Sequence, residues 1–241
     1  MSDILVHTEA GVMTITFNRV DKKNSITSGM YAELADALAT AETDAAVRCV
    51  LIQGDPTIFS AGNDIGDFLN APPATQESPV FRFLRGIATF PKPLVAAVCG
   101  PAVGIGTTML FHCDLVYAGD NAAFSMPFVN LGLCPEAASS LLVPQMLGYH
   151  RAAEALLLGE PFMAEAALEV GLVNRVVPPT EANFVWLPLG AATTDWAAAC
   201  EQRKVIVRPF AGSGARVTVG TAEENDALLA AAAELAPTAR L

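Results

Sequence analysis

Apolar residues over the first 178 positions follow two alternating patterns, each of which predicts a different element. Short runs of β-branched and other apolar residues predict strands, whereas apolar residues recurring three and four positions apart predict helices. The predicted strands are residues 4–6, 12–17, 49–52, 94–98, 115–117 and 173–177, and the predicted helices are residues 30–41, 80–90, 104–112, 139–147, 152–158 and 164–169. Because strands alternate with helices, we expect an α/β fold whose strands pair mainly in parallel.

The pattern changes after two adjacent prolines, Pro178 and Pro179. Downstream of them, strands are predicted over residues 183–186, 205–207 and 216–219, and helices over residues 195–202 and 222–235. Because adjacent prolines interrupt regular structure, we predict a main domain over residues 1–178 and a small αβ segment over residues 179–241.

The composition excludes several classes of protein. With 52% hydrophobic and 16% charged residues, the chain is too apolar for a disordered protein. Its 25 Asp+Glu against 14 Lys+Arg give a net charge of −11, whereas general nucleic-acid-binding proteins are basic, so we expect no nucleic-acid partner. The uncharged run over residues 94–111 is interrupted by Gly100 and Pro101, so we expect no membrane span.

The cysteines and histidines argue against disulfide and metal chemistry. The 5 cysteines share no CxxC spacing, which predicts buried thiols in a reducing compartment. The 3 histidines are scattered without the spacing of metal ligands, so we expect no metal site. The first residues contain no basic segment followed by an apolar run, so we expect a cytoplasmic protein without a secretory signal.

Three segments carry residues suited to chemistry, and the first and third also have ordinary structural interpretations. The small-residue loop over residues 60–64 lets backbone N–H groups approach a ligand, but it also suits a simple turn. The glycine-rich turn over residues 100–106 leaves N–H groups free at a helix N-terminus, where negative charge is stabilised. A dinucleotide site is not expected there, because Met109 stands where that motif requires Gly or Ala. Glu136 lies in an apolar, proline-containing stretch and is either a proton carrier or a helix cap.

The order and spacing of these segments resemble the crotonase superfamily, also called the enoyl-CoA hydratase/isomerase superfamily, over about residues 3–178. The matching segments are residues 18–19, 23–25, 59–65, 91–98, 100–105, 113–118 and 167–173. The resemblance implies a ββα superhelix, which is a spiral of repeated strand–strand–helix turns. It also implies an acyl-CoA substrate and no separate cofactor, because coenzyme A arrives as part of the substrate.

In crotonases two backbone N–H groups bind the thioester oxygen, and the resemblance assigns them to Asn63 and Ile105. Two such donors stabilise the enolate that forms when a proton next to the carbonyl is removed. The other positions that the resemblance implies in substrate or CoA binding are Lys23, Ser25, Ser60, Ala61, Gly62, Asp64, Ile65 and Gly104. Further cations near these loops in sequence are Arg19, Lys22 and Lys92.

The acid and base residues distinguish the branches of this superfamily. Hydratases use two glutamates to activate and protonate water, and the corresponding positions here hold Thr108 and Phe128, which carry no carboxylate. The chain is more similar to the Δ3,Δ2-enoyl-CoA isomerase branch, whose single glutamate aligns with Glu136 and moves a proton from C2 to C4. Apolar neighbours such as Leu133 and Met126 should favour the neutral acid. A hydratase, another crotonase reaction and a non-catalytic acyl-CoA-binding chimera remain alternatives.

From about residue 179 the chain resembles the carboxyl end of histidinol-phosphate-type aminotransferases. The matching segments are residues 183–188, 207–210 and 214–218, and the resemblance aligns Arg216 with an arginine that binds a substrate carboxylate. No lysine stands in an aminotransferase context, so we expect no such activity. A gene fusion, a recombination event and an assembly artefact each explain this junction.

The helices that normally end a crotonase are missing from this sequence. In the superfamily they cover the acyl site and pack subunits into trimers. Whether this chain forms a homotrimer is therefore undecided from its sequence, and we expect water to enter the pocket unless the unusual tail covers it.

Overall fold

The computed structural model of this chain describes residues 2–70, 72–177, 184–187, 189–218 and 222–235. The chain divides into two compact units, Met1–Pro178 and Pro179–Leu241. The strands of the first unit are β1 (Ile4–Glu9), β2 (Val12–Phe17), β3 (Cys49–Gln53), β4 (Leu94–Val98), β5 (Pro101–Val103), β6 (Leu115–Gly119), β7 (Ala123–Ser125), β8 (Phe162–Met163) and β9 (Arg175–Val177). Its helices are α1 (Ser28–Thr43), α2 (Ile65–Asn70), α3 (Pro79–Thr89), α4 (Ile105–Thr108), α5 (Ser139–Leu147), α6 (Tyr149–Ala153) and α7 (Ala164–Glu169).

The first unit is built on a six-stranded sheet with the strand order β1-β2-β3-β4-β6-β9. The hairpin β1–β2 is antiparallel, and every later pair in this sheet is parallel. In β4 the side chains of Leu94, Ala96 and Val98 are buried, and the residues between them are only partly buried. The wholly apolar run predicted as a strand therefore lies inside the unit, as parallel strands covered on both faces require.

A second sheet of three strands gives this unit its spiral form. The chain leaves β4 and enters β5 after two residues, and it leaves β6 and enters β7 after three. In both cases it passes from the large sheet into the small one, where β5 pairs with β7 in parallel and β7 pairs with β8 antiparallel. This repeated strand–strand–helix turn is the ββα superhelix that the resemblance implied, so that prediction is confirmed.

Helix α1 begins and packs as the periodicity of its sequence predicts. Thr27 caps its N-terminus, because the Thr27 hydroxyl accepts a hydrogen bond from the Met30 N–H at 3.3 Å. The buried face of α1 includes Tyr31 and Leu34 and packs against α3. Phe83 of α3 is fully buried, and its ring centroid lies 5.5 Å from that of Tyr31. The packing therefore turns the Tyr31 side chain inward.

Lys92, which lies near the expected CoA-binding loops in sequence, has a structural role in this fold. Its Nζ donates hydrogen bonds to the carbonyl oxygens of Ala41, Asp44 and Val47 at 2.6, 2.7 and 2.9 Å. These carbonyls lie at and just beyond the C-terminal end of α1, where a cation is favoured. Lys92 therefore stabilises the end of this helix.

The described residues of the second unit form a three-stranded antiparallel sheet and two α-helices. Its strands are β10 (Phe184–Leu187), β11 (Arg208–Phe210) and β12 (Gly214–Thr218) in the order β10-β12-β11, and its helices are α8 (Thr193–Gln202) and α9 (Ala222–Leu235). The backbone of Arg216 pairs with that of Trp186 and that of Arg208, but the Arg216 side chain lies outside the described residues. Parts of the aminotransferase-like segments, at residues 183 and 188, also lie outside them.

The strand predicted over residues 205–207 is wrong. The Val205 N–H donates to the Cys200 carbonyl oxygen at 3.0 Å and helps to close the C-terminus of α8, and the Ile206 side chain is 89% exposed. The strand is Arg208–Phe210 instead, where Pro209 lies on an edge strand. Local β propensity at residues 205–207 is therefore overridden by the end of the preceding helix.

Two further features bear on the chemistry expected of this chain. The five cysteines are free thiols, but Cys200 alone is buried, so the expectation of buried thiols is wrong for the exposed Cys134 and holds only in part for the partly buried Cys49, Cys99 and Cys113. Within the described residues, no helix has the length and hydropathy needed to cross a bilayer, and no three His, Cys, Asp or Glu side chains are grouped as a metal site.

Candidate active site

A cavity of about 490 Å³ lies among the loop after β3, the β5–α4 turn and the segment that precedes α5. This volume is in the range of small-molecule sites. Of the predicted site residues, those that line the cavity are Ala61, Gly62, Asn63, Ile65, Gly104, Ile105 and Glu136. Most of the remaining lining is apolar and includes Phe68, Leu69 and Leu131. Three sequence segments that are remote from one another therefore meet at one cavity.

The loop around Asn63 is held by its neighbours in a way that leaves the Asn63 N–H available. The Ile26 N–H donates to the Gly62 carbonyl oxygen at 2.8 Å, and the Asp64 N–H donates to the Ile26 carbonyl oxygen at 2.9 Å. Between these two bonds, the Asn63 N–H donates to no acceptor within the described residues. Gly62 has φ +87° and any Cβ there would lie 2.8 Å from the Val103 carbonyl oxygen, so only glycine fits this close approach.

The second free N–H belongs to Ile105, the first residue of α4. Gly104 precedes it with φ +57° and ψ −120°, a combination that side chains disfavour. The Gly104 N–H donates to the Ser125 carbonyl oxygen at 2.9 Å, whereas the described residues contain no acceptor for the Ile105 N–H. The residues predicted as one helix, 104–112, form the short helix α4 and then a 3-10 turn, Met109–His112. Because fewer peptide dipoles are aligned, the helix stabilises negative charge near the Ile105 N–H less than expected.

Glu136 is followed by a backbone turn of unusual geometry. Ala137 and Ala138 both have positive φ, at +52° and +53°, which costs an alanine about 1–2 kcal/mol. His112 Nε2 lies 2.8 Å from the Ala137 carbonyl oxygen, and the Ser139 hydroxyl donates to the Glu136 carbonyl oxygen. This turn joins α5 to a segment that presents Glu136 to the cavity.

The Glu136 carboxylate has one hydrogen-bond partner and one bare oxygen. Its Oε2 accepts a hydrogen bond from Asn63 Nδ2 at 3.4 Å, and its Oε1 is buried without a partner in the described structure. Burial raises the pKa of Glu136 above its usual value, and the Asn63 hydrogen bond partly opposes this. No side chain caps α5 through a hydrogen bond, so the helix-cap interpretation of Glu136 is wrong.

Two predicted binding residues support the loop around Asn63 without lining the cavity. Lys23 is exposed with φ +53°, and its carbonyl oxygen accepts a hydrogen bond from the Ala61 N–H at 2.9 Å. Ser60 is fully buried, and its hydroxyl donates to the Asn24 carbonyl oxygen at 2.9 Å and accepts from the Gly62 N–H at 3.2 Å. Ser60 therefore holds this loop from within the core.

Ser25 and Asp64 form a polar cluster with Arg19. Arg19 Nη1 donates to Asp64 Oδ2 at 2.8 Å and to the Ser25 hydroxyl at 2.8 Å. The Arg19 hydrogen bond is the main cause of the lowered pKa of Asp64. Asp64 lines a neighbouring cavity of about 250 Å³, which Asn63 also lines. Arg19 is consequently paired within the protein.

Sequence reasoning missed the side chains of Tyr31 and Asn63 at this site. The Tyr31 hydroxyl donates to Asn63 Oδ1 at 2.5 Å, although only the backbone of Asn63 had been singled out. A signal was present, because Tyr31 stands on the apolar face of α1 and a buried tyrosine hydroxyl needs a polar partner.

Comparison with known proteins shows the family to which this chain belongs. The family model for enoyl-CoA hydratase/isomerase matches residues 7–200. Enoyl-CoA delta isomerase 2 of Rattus norvegicus is 45% identical in an alignment of 195 residues that covers 77% of this chain and 49% of the rat protein. Peroxisomal enoyl-CoA delta isomerase 3 of Mus musculus is 42% identical over 196 residues, 78% of this chain and 61% of the mouse protein.

This chain thus spans between about half and three fifths of the length of these two relatives. Among solved structures, Pseudomonas aeruginosa OdaA is 53% identical with a TM-score of 0.72, and the match covers 74% of this chain and 72% of that one. Because the family model matches most of its residues, the chain belongs to the enoyl-CoA hydratase/isomerase family.

Proposed function

We propose that this protein isomerises 3-enoyl-CoA thioesters to 2-enoyl-CoA thioesters, with Glu136 as the proton carrier. The observation that carries the proposal is a single partly buried carboxylate in a cavity that two unbonded backbone N–H groups also line. Glu136 is the one carboxylate among the described residues that line this cavity. The delta isomerase relatives support the same reaction.

In the first step the Glu136 carboxylate removes a proton from C2 of the 3-enoyl thioester. The electron pair of the broken C–H bond enters the conjugated system, and negative charge accumulates on the thioester oxygen. The N–H groups of Asn63 and Ile105 are the proposed donors to that oxygen. They are held by the backbone before substrate binds, so they stabilise the dienolate without reorganising.

In the second step the protonated Glu136 returns the proton to C4. The C2–C3 double bond forms, the charge leaves the thioester oxygen, and Glu136 is again a carboxylate. One group is sufficient because the acid produced in the first step is the acid used in the second. The raised pKa of Glu136 suits this exchange, since it brings the acid and base forms closer in free energy near neutral pH.

Water addition is the competing reaction, and the structure disfavours it. Hydration needs one group to activate water and another to protonate the product. The two hydratase positions are Thr108, whose hydroxyl is buried without a partner in the described structure, and Phe128, which is among the residues that line the cavity. Neither side chain carries a carboxylate that could act as general base or general acid toward water near neutral pH.

For the CoA end of the substrate we propose the loop that contains Lys23 and Ser25. Lys23 is exposed, and its carbonyl bond to Ala61 keeps it beside the segment that lines the cavity. Arg19 pairs with Asp64, and Lys92 is bonded to three carbonyl groups. Lys23 is therefore the better candidate to meet the CoA phosphates in a chain of net charge −11.

The reaction is tested by incubating the purified protein with 3-hexenoyl-CoA in ¹⁸O-labelled water and identifying the product by mass spectrometry. We expect 2-hexenoyl-CoA without ¹⁸O. A hydratase would instead leave 3-hexenoyl-CoA unchanged and, in a parallel incubation with 2-hexenoyl-CoA, would give ¹⁸O-labelled 3-hydroxyhexanoyl-CoA. Calorimetric binding of CoA with no turnover would favour a non-catalytic acyl-CoA-binding chimera. Either of these two outcomes contradicts the proposed isomerisation.

A further inference from the structure

Tyr31 lies on α1 next to the candidate site but outside the cavity that Glu136 lines. Its side chain is 4% exposed, and its ring packs against that of Phe83. A phenylalanine would satisfy this packing equally well. The hydroxyl is the distinguishing group, and it donates to Asn63 Oδ1 at 2.5 Å.

The Asn63 side chain connects Tyr31 to Glu136 through a second hydrogen bond. An amide has a carbonyl oxygen at one end of its planar group and an NH2 at the other. Because the Tyr31 hydroxyl donates to Oδ1, the Nδ2 end is left to face Glu136, where it donates to Oε2 at 3.4 Å. If the amide rotated by half a turn, Oδ1 would face the carboxylate and repel it.

We propose that Tyr31 is a positioning residue that fixes the Asn63 amide so that its NH2 group stabilises the Glu136 carboxylate. Tyr31 touches neither substrate nor reacting atoms in this scheme and acts only through Asn63. The expected effect of Tyr31 on the reaction rate rests on the proposed function. Its expected effect on the ionisation of Glu136 does not depend on which reaction is catalysed.

The protonation state of Tyr31 supports the direction of this hydrogen bond. Burial, and after it the charge of Glu136, hold the pKa of Tyr31 well above its usual value. The phenol therefore keeps its proton over the pH range in which Glu136 titrates.

Other titratable groups near Glu136 are few among the described residues. Cys134 lies on the same segment and lines the cavity, His112 contacts the Ala137 carbonyl oxygen, and Asp64 follows Asn63 but pairs with Arg19. Substitutions at positions 31 and 63 leave all of these groups in place. A change in the titration of Glu136 can therefore be assigned to the hydrogen-bond chain.

The test is the titration of Glu136 in protein labelled with ¹³C at the glutamate side-chain carboxyl, followed by NMR. The Glu136 signal is identified by its absence in Glu136→Gln. Losing a hydrogen bond to the carboxylate disfavours the charged form, so we expect Tyr31→Phe to raise the midpoint by about 0.5–1 pH unit. Asn63→Ala, which keeps the backbone N–H, should raise it as well, and Tyr31→Phe should add nothing in the Asn63→Ala background.

The matched control is Tyr149→Phe, which removes a hydroxyl from a residue that is 76% exposed and outside the cavity. It should leave the midpoint unchanged. In case Tyr31→Phe does not fold, a second measurement uses 3-fluorotyrosine at position 31 with the other two tyrosines replaced by phenylalanine. Its ¹⁹F signal should shift with the midpoint of Glu136.

The proposal is overturned if Tyr31→Phe leaves the titration midpoint of Glu136 unchanged, or if it still shifts that midpoint in the Asn63→Ala background. It is also overturned if the ¹⁹F chemical shift at position 31 does not change as Glu136 titrates. In kinetics, Tyr31→Phe should move the acidic limb of kcat to higher pH by the same amount, with KM unchanged. If the wild type does not isomerise 3-hexenoyl-CoA, the proposed function fails, and the NMR titration still decides the role of Tyr31.

Discussion

Glu136→Gln should lower kcat for 3-hexenoyl-CoA by a factor of about 10²–10⁴, the usual contribution of a general acid–base group. Glutamine keeps the size and polarity of the side chain but cannot take the proton from C2 or return it to C4. Because the hydrogen-bond donors at Asn63 and Ile105 remain, KM should change little. The rates are measured at several pH values by following formation of the conjugated 2-enoyl thioester.

The pH dependence gives this prediction a second check. A base must be ionised, so the wild-type rate should fall as the pH drops through the raised pKa of Glu136, at a higher pH than for an exposed glutamate. Stability should respond in the opposite sense. A raised pKa in the folded state means that stability is lost as the pH rises through it, and Glu136→Gln should lack this loss.

The matched control for this substitution is Glu165→Gln, an exposed glutamate in the first turn of α7. It should retain the wild-type rate and its pH profile. Equal rates for wild type and Glu136→Gln would refute the assigned role, whatever the stability of the variant.

Gly104→Ala should lower kcat/KM by a factor of about 10² or more, the effect of losing one donor to a developing oxyanion. An added Cβ meets no atom within 4 Å, so the cause is not a clash. The cause is the backbone, because φ +57° with ψ −120° is accessible to glycine and strained for alanine by about 1–3 kcal/mol. Relaxation of that strain would turn the Ile105 N–H away from the cavity.

Gly148→Ala separates this effect from general destabilisation. Gly148 has φ +77° and ψ 163°, also a region of glycine conformations, and an added Cβ there likewise meets no atom within 4 Å. Urea unfolding should show similar losses of stability for both variants, whereas only Gly104→Ala should lose activity. A comparable loss of activity in Gly148→Ala would remove the support for an oxyanion role of Ile105.

The parts of this molecule that depend on local pattern were predictable from the sequence. Strand β4 was predicted from the apolar run over residues 94–98, and helix α1 was predicted from the helical periodicity over residues 30–41. The alternation of such segments predicted that the strands pair in parallel. The resemblance to the crotonase superfamily implied the ββα superhelix and singled out Asn63, Ile105 and Glu136 as site residues. The strands and helices are each encoded within a short stretch of residues, whereas the superhelix and the site positions were available only through the family resemblance.

The features that were missed depend on contacts between remote segments. Tyr31, Asn63 and Glu136 are joined by side-chain hydrogen bonds across more than 100 positions of sequence, which no local pattern records. The two left-handed alanines after Glu136 contradict local preference and are held by tertiary contacts. The candidate site is thus where sequence rules are least sufficient.

The most direct test of the mechanism is a crystal structure of Glu136→Gln with bound 3-hexenoyl-CoA. We expect the thioester oxygen within about 2.7–3.1 Å of the N–H nitrogens of both Asn63 and Ile105. The side-chain amide at position 136 should lie about 3–3.5 Å from C2 and within reach of C4. A thioester oxygen bound away from these two groups, or a position 136 side chain directed away from the acyl chain, would contradict the account.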